Sequence, residues 1–395
     1  MADNKQLTFI DFFAGIGGIR LGMEQAGYKC IGFCEFDKYA IASYTSMHCV
    51  TKEQRNHLMT LPMRQRQKEI LKEEYRNGEW FANDISTVKG TDLPRADIWC
   101  FGAPCVSFSI AGDRKGLEGG SKLVKEIFRL LHEVKEEHRP KYLIYENVKG
   151  MLSSNRGFDF LAILFEMESC GYDVQYELFN SANFVPQNRE RVYTVGCSRQ
   201  YKSNPPEIFP LKTTNGENNI QVKQIAQWKS SVRDNPNQYR VYSPDGVSPT
   251  LTKMEGGGRE PMVGIKVIGN TRLKKAYGED KERVLSPDGI HPTLNSSDYK
   301  EPSKVGIPME VDNSTHEPVY VELSNNCTAY AIWYDKWQSY IVVRKVMPKE
   351  AFRLQGFSDE MFNRAQFVNS DSQLYKQIGN SVTVPVITAI AKRIN

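Results

Sequence analysis

Four short stretches of the chain combine residue types that do chemistry when they converge. Residues 102–109 read Gly-Ala-Pro-Cys-Val-Ser-Phe-Ser, directly after the apolar run Ile98–Phe101. They put Cys105 in a turn-forming setting where a thiol can be exposed, and a thiolate attacks well wherever its surroundings favour the anion. Seen alone, Cys105 fits equally a structural cysteine, which is the reading for Cys100 inside the apolar run and for most of the others. Glu146 and Asn147 end the run Tyr142–Tyr145 and offer a carboxyl group for proton transfer, or a helix cap or salt-bridge partner. The cluster Gln187-Asn188-Arg189-Glu190-Arg191 precedes the run Val192–Val195, so residues 187, 189 and 191 share one face of an extended segment. Two arginines on one face hold a phosphate or a carboxylate, or form a surface ion-pair ladder.

The fourth stretch, residues 11–18, reads Asp-Phe-Phe-Ala-Gly-Ile-Gly-Gly between an apolar run and a helix-like one. Its glycines let backbone amides approach a ligand at a helix N-terminus, or simply permit tight packing. Glu35, after the next strand candidate, is placed like the acid that hydrogen-bonds a ribose in dinucleotide-type folds. Asp84, in Asn-Asp-Ile, is placed to grip the amino group of an adenine in a similar way.

The elements that must position these groups alternate. Strand candidates Leu7–Phe12, Cys30–Cys34, Ile98–Phe101, Tyr142–Tyr145 and Val192–Val195 are separated by helical candidates Gly18–Ala26, Lys122–Lys135 and Phe158–Ser169. This is the pattern of strand-helix repeats building a parallel sheet, with ligands at the edge where each apolar run gives way to small or polar residues. Residues 48–79 interrupt it with a charge-dense segment whose main apolar points are Leu58, Ile70, Leu71 and Tyr75. That segment reads as an inserted helical excursion, preferred as a solvated surface helix over an added nucleic-acid contact.

After Cys197 the chain is rich in Asn, Pro, Gly, Thr and Ser, and helical periodicity is lost until about Lys349. A second, strand-rich domain follows from that composition. It contains a repeat: Arg240–Leu251 reads RVYSPDGVSPTL and Arg283–Leu294 reads RVLSPDGIHPTL, 43 residues later. Ser-Pro-Asp-Gly suits a type I turn with a following bulge, which predicts two similar hairpins. From Lys349 helical patterning returns, with Glu350–Leu354 and Val384–Ile394 as candidates.

Bulk properties exclude more than they name. With 395 residues and 40% hydrophobic content the chain can bury a large core in about two or three domains. A net charge of +4 identifies no partner. Eight cysteines without CxxC pairs resemble neither a zinc site nor a secreted disulfide scaffold, so no metal is expected and a reduced compartment is. No apolar stretch reaches transmembrane length and no secretory segment precedes residue 7, which predicts a cytosolic or nuclear protein without membrane contact.

Taken together and in order, these segments resemble the cytosine-5 DNA methyltransferase family, over most of the chain outside residues 50–80 and 200–345. DFFAGIGG resembles its first cofactor motif, GAPC its nucleophile motif, ENV at 146–148 its catalytic glutamate motif and QNRER its arginine motif. Lys349-Glu350-Ala-Phe-Arg-Leu-Gln-Gly-Phe357 and Gln377-Ile-Gly-Asn-Ser-Val382 resemble its last two motifs. The resemblance implies a Rossmann-like class I methyltransferase domain at residues 1–198, with a mostly parallel sheet and a helical insertion near 50–80. It also implies a smaller target-recognition domain at 199–345 and a C-terminal segment, 346–395, returning to the first domain.

It further implies S-adenosylmethionine as cofactor, held by Phe13, Ala14, Gly15, Gly17, Gly18, Glu35, Phe36, Asp84, Ile85, Pro104, Leu123, Asn380, Ser381 and Val382. Cys105 would add to carbon 6 of cytosine, Glu146 would hydrogen-bond and protonate ring nitrogen 3, and Arg189 would bind the exocyclic oxygen. Asn147 and Arg191 complete the implied catalytic group. Double-stranded DNA would be met by Ser109, Lys122, Arg240, Tyr242, Thr250, Thr252, Gly257 and Arg259, the last six around the first repeat. The implied protein is a monomer of the bacterial cytoplasm or a phage, in a modification system with a cognate restriction endonuclease as a potential partner. A slow or non-catalytic DNA binder and an RNA cytosine-5 methyltransferase are the alternatives. Three departures stand out: Val106 where the family usually has Gln, Gly119-Gly-Ser-Lys122 where an Arg-Gly pair is common, and Lys349 for Arg.

Overall fold

The computed structural model describes residues 6–104, 123–211, 224–227, 240–242, 249–250, 262–266, 284–285, 304–305, 316–317, 319–324, 327–334 and 338–394. The chain divides into two compact units, residues 1–218 with 352–395, and residues 219–351.

In the first unit, β1 (Thr8–Phe12), β2 (Lys29–Cys34), β3 (Trp80–Ala82), β4 (Ile98–Phe101), β5 (Tyr142–Val148), β6 (Tyr172–Asn180) and β7 (Glu190–Ser198) form one sheet in the order β3-β2-β1-β4-β5-β7-β6. All neighbours are parallel except those of β7, which runs antiparallel to both β5 and β6. The order reverses direction between β1 and β4, and that switch point is where an open α/β sheet forms its ligand crevice. The α/β, mostly parallel architecture expected from the alternating runs is the one found.

Burial on both faces explains why these strands read as apolar runs. Ile10, Phe12, Trp99, Phe101, Leu143 and Tyr145 pack on one side with α5 (Val124–Glu133) and α6 (Phe158–Ser169). Phe9, Ile98, Cys100, Tyr142 and Ile144 pack on the other with α1 (Gly18–Gln25) and α10 (Val384–Ile394). Ile387 and Ile390 of α10 are fully buried, each worth about 1.5–3 kcal/mol. At Gly22 in α1 an added Cβ would lie 2.6 Å from Ile387, so the two helices approach closely because that side chain is missing. Tyr28 and Tyr142 donate to the carbonyls of Ala391 and Ile394, tying the same helix to the sheet.

Several expectations are corrected. The insertion is not a single solvated helix: α2 (Lys38–Tyr44) runs into a π-helical turn, Thr45–Cys49, followed by α3 (Lys52–Met59) and α4 (Met63–Glu69). Leu58, Ile70 and Tyr75 are buried with Val368, while Arg66 donates to the Phe367 carbonyl and Gln67 to that of Val368. The apolar points are therefore a docking face for the C-terminal segment, where α8 (Asp359–Gln366) and α9 (Asp371–Asn380) also form. Strand β5 continues through Glu146 and Asn147 rather than ending before them. Residues 199–211 stay with the first unit, because Ile208 and Leu211 are buried there and Arg393 donates to the carbonyls of Ile208 and Pro210.

The second unit is strand-rich. β8 (Gln224–Gln227), β9 (Arg240–Tyr242), β10 (Met262–Lys266), β13 (Val319–Ser324), β14 (Cys327–Tyr334) and β15 (Ser339–Lys345) form a sheet in the order β13-β14-β15-β10-β9-β8. β11 (Val284–Leu285) and β12 (Lys304–Val305) form a separate pair. The turns expected from the two copies of the repeat, within residues 243–248 and 286–293, lie outside the described residues. β9 pairs in parallel with β10, Val241 opposite Met262, and β11 pairs in parallel with β12, Val284 opposite Lys304. α7 (Pro348–Leu354) leads out of this unit.

Candidate active site

The site is assembled at the edge of the sheet where β1, β2, β4 and β5 end. After β1 the backbone enters left-handed geometry at Phe13 (φ 56°), Gly15 (φ 56°) and Gly17 (φ 82°), and Gly17 caps α1. Nothing lies within 4 Å of the place a Cβ on Gly15 would occupy, so the turn opens onto free space there. Its back is closed: a Cβ on Gly18 would lie 2.5 Å from Ser381 Oγ, and one on Gly17 2.4 Å from His48 Nε2. Ser381 and Val382 are themselves buried, whereas Asn380 is exposed.

Glu35 organises this turn. Its Oε2 accepts from the Gly15 amide at 2.8 Å, and its Oε1 from the amides of Phe36 and Asp37 at 2.9 and 2.8 Å. Burial raises its pKa, and the three amides work against that rise. A carboxylate has about four acceptor positions. The one left lies on Oε2, which suits a hydroxyl donor such as a ribose. Phe36 beside it is 72% exposed, an aromatic face at the rim. Asp84 Oδ1 accepts from the amide and hydroxyl of Ser86, which hold its carboxyl below its ordinary range and leave Oδ2 for another donor. Ile85 is buried in the core beneath it.

On the other side of the switch point stands Glu146, fully buried at the end of β5. Burial pushes its carboxyl up, and Arg191 and then Arg189 draw it down. Arg191 Nε lies 3.1 Å from Glu146 Oε1, with Nη1 donating to the Glu190 carbonyl. Arg189, 2% exposed, instead donates to the carbonyls of Ser381 at 2.6 Å and Gly379 at 3.3 Å. The arginine expected at a base's exocyclic oxygen is thus committed to the C-terminal segment, and its neighbour two residues on stands at the carboxyl group. Side-chain alternation puts both on one face but does not say which neighbour each meets. Asn147 is buried, donating to the Tyr145 hydroxyl and accepting from the Val148 amide at 2.8 Å.

The nucleophile motif begins beside this pair. A Cβ on Gly102 would sit 3.4 Å from Glu146 Oε2, so the backbone leading to Cys105 passes the carboxyl group, with Ala103 buried and Pro104 exposed. Cys105, Val106, Ser109 and Lys122 lie outside the described residues, as do Thr252, Gly257, Arg259 and both Ser-Pro-Asp-Gly segments. Leu123 precedes α5 and is half-buried. Arg240 and Tyr242 lie on β9, and Tyr242 and Thr250 are half-buried in the second unit. Sequence inspection missed Gly102 as a contact of Glu146 and missed His48 entirely. The first was within reach, since a glycine opening a motif beside a carboxyl is a packing signal; a lone histidine carries none. Among the described residues no group of His, Cys, Asp and Glu converges as a metal site, and no helix is long and apolar enough to cross a membrane.

Comparison with known proteins gives a family and a fold. The family described as C-5 cytosine-specific DNA methylase matches residues 7–395. The orphan methyltransferase M.SPBetaI of Bacillus phage SPbeta is 28% identical over 481 aligned positions, covering 98% of this chain and 97% of its own. The type II methyltransferase M.SsoII of Shigella sonnei is 29% identical, covering 99% of this chain and 81% of its own. In fold, the Dnmt2 methyltransferase of S. pombe aligns with a TM-score of 0.57 at 15% identity, over 97% of each chain.

Proposed function

Since this chain belongs to the C-5 cytosine-specific DNA methylase family and is a DNA cytosine-5 methyltransferase, we propose that it methylates a cytosine flipped out of a specific duplex sequence, through a transient bond to Cys105. The observation that carries this reading is the pairing of Glu146 with Arg191 beside Gly102, three residues before that cysteine.

The cofactor side fits S-adenosylmethionine. The turn at 13–18 is open at Gly15, Glu35 keeps one acceptor position on Oε2, Asp84 keeps Oδ2, and Phe36 offers an aromatic face. Bound there, S-adenosylmethionine supplies an electrophilic methyl group.

The chain's own groups do the rest. Carbon 5 of cytosine is a poor nucleophile until the Cys105 thiolate bonds to carbon 6 and pushes electron density through the ring. Glu146 gives its proton to ring nitrogen 3 as that density arrives, and its burial-raised pKa keeps the proton available. Arg191 steadies the carboxylate left behind and reaches the same ring edge. After methylation a base takes the carbon 5 proton, the ring re-forms its double bond as Cys105 departs as thiolate, and ring nitrogen 3 returns its proton to Glu146. Arg189 works at a distance, holding the Gly379 and Ser381 carbonyls of the segment whose Ser381 hydroxyl and Val382 back the cofactor turn. Taking the base out of the stack costs about a few kcal/mol.

The second unit is the proposed target-recognition region, with Arg240, Tyr242 and Thr250 meeting base edges or phosphates. The type II relatives support a modification role alongside a cognate endonuclease; relatives named orphan methyltransferases mark the other arrangement. The protein is proposed to act as a monomer. Incubation with labelled S-adenosylmethionine and DNA, followed by bisulfite sequencing, should place label on cytosines in one sequence context. Label on RNA and none on DNA would sink the reading. A duplex carrying 5-fluorocytosine should trap a covalent complex through Cys105, because fluorine blocks the final elimination.

A further inference from the structure

His48 is half-buried, polar and unused by the chemistry above. It lies on the π-helical turn Thr45–Cys49, a geometry that is rare and concentrated at functional sites. Its Nε2 is 3.0 Å from the Ile16 carbonyl, between the left-handed residues Gly15 and Gly17. A carbonyl only accepts, so the ring carries its proton on Nε2 and donates it. The ring packs against Tyr44, with centroids 4.9 Å apart, and fills the space beside Gly17 that a Cβ would need.

The turn that carries His48 is clamped from outside. Arg55 donates to the Ser46 carbonyl, Ser46 to the Arg364 carbonyl, and Arg364 to the Met47 carbonyl. Just ahead of the turn, Asn369 donates to Ser43 Oγ, whose hydroxyl is in turn given to Gln377. The insertion and the C-terminal segment thus fix one end of a strut whose other end is the Ile16 carbonyl. Burial, with Arg20 and Arg364 nearby, pushes the imidazole down to about 3, so the ring stays neutral and the donor stays in place through the working pH range.

We propose that His48 is a positioning residue for the cofactor turn: its Nε2 proton sets the Ile16 carbonyl, and through it the left-handed backbone of Gly15 and Gly17 that receives S-adenosylmethionine. The proposal rests on the reading of that turn as the cofactor site. His48 touches no reacting atom, so its removal should weaken cofactor binding rather than the chemical step.

The test measures S-adenosylmethionine binding by calorimetry and turnover at saturating cofactor and DNA for three variants. His48→Leu keeps bulk and loses the donor. His48→Gln keeps an N–H at about the reach of Nε2, and His48→Asn holds one a bond too short. The expected result is a dissociation constant raised about tenfold in His48→Leu and His48→Asn, kcat within about threefold of the parent, and near-parental binding in His48→Gln. Parental affinity in a folded His48→Leu protein would overturn the proposal. If His48→Leu does not melt cooperatively, the Gln and Asn variants decide, and equal affinity in those two overturns it. Failure of the parent protein itself to bind S-adenosylmethionine refutes the cofactor assignment instead.

Discussion

Two glutamates on either side of the switch point, Glu35 half-buried and Glu146 buried, are both raised in pKa by burial, yet they are held in opposite ways. Glu35 spends three acceptor positions on the amides of Gly15, Phe36 and Asp37, so its charge is compensated by fixed backbone dipoles. Glu146 has a guanidinium at 3.1 Å and a glycine at its other oxygen. Backbone amides cannot leave, which makes Glu35 a scaffold. A single guanidinium at one oxygen leaves Glu146 able to exchange its proton. Burial alone does not mark a reactive acid; the nature of its compensation does.

The sharpest way to break this contrast is at the reactive side. Cys105→Ser should lower kcat by about 10⁴-fold or more while cofactor affinity, read by calorimetry, stays at the parental value. Arg191→Met should lower kcat by about 100-fold. It should also move the alkaline limb of the kcat–pH profile upward, because Glu146 loses the cation that draws its pKa down and keeps its proton to higher pH. An unmoved limb would show that another group gives the proton. Glu35→Gln should do the reverse, weakening cofactor binding about 10- to 100-fold with the pH limb in place, since an amide NH₂ then faces backbone donors. Smaller again, Gly22→Ala should lower Tm by several degrees in calorimetric melts by forcing a methyl group against Ile387, at a cost of about 1–3 kcal/mol.

The smallest effect is on acid stability. His48 has a folded pKa of about 3 against an ordinary 6.5, so its contribution is complete above about pH 6.5 and declines as pH falls towards 3, where the unfolded chain takes up the proton first. A folded His48→Gln protein should lose less stability than the parent between those limits in denaturant titrations.

Much of the first unit was legible because β1, β4 and β5 are buried on both faces and read as unbroken apolar runs ending at the site. Edge strands were not: β3 is three residues long, and β6 mixes Asp173, Gln175 and Glu177 into its run. The site residues were legible as types and as an order, but their partners were not. Nothing local separates Arg189 from Arg191, whose fates depend on the distant carbonyls of Gly379 and Ser381 and on Glu146. The repeat was legible only as a local signal. Ser-Pro-Asp-Gly is a turn signal, yet Val241 and Val284 find parallel partners at Met262 and Lys304, and that pairing is invisible to a four-residue window.

The backing of the glycine turn comes from Ser381 and Val382, far along the chain from Gly18. During synthesis the turn therefore leaves the ribosome long before anything can stand behind it, and the whole of residues 219–351 is made in between. A copy whose translation stops short of α9 lacks both that backing and the helix that covers α1, so the glycine turn of an aborted chain stands unsupported.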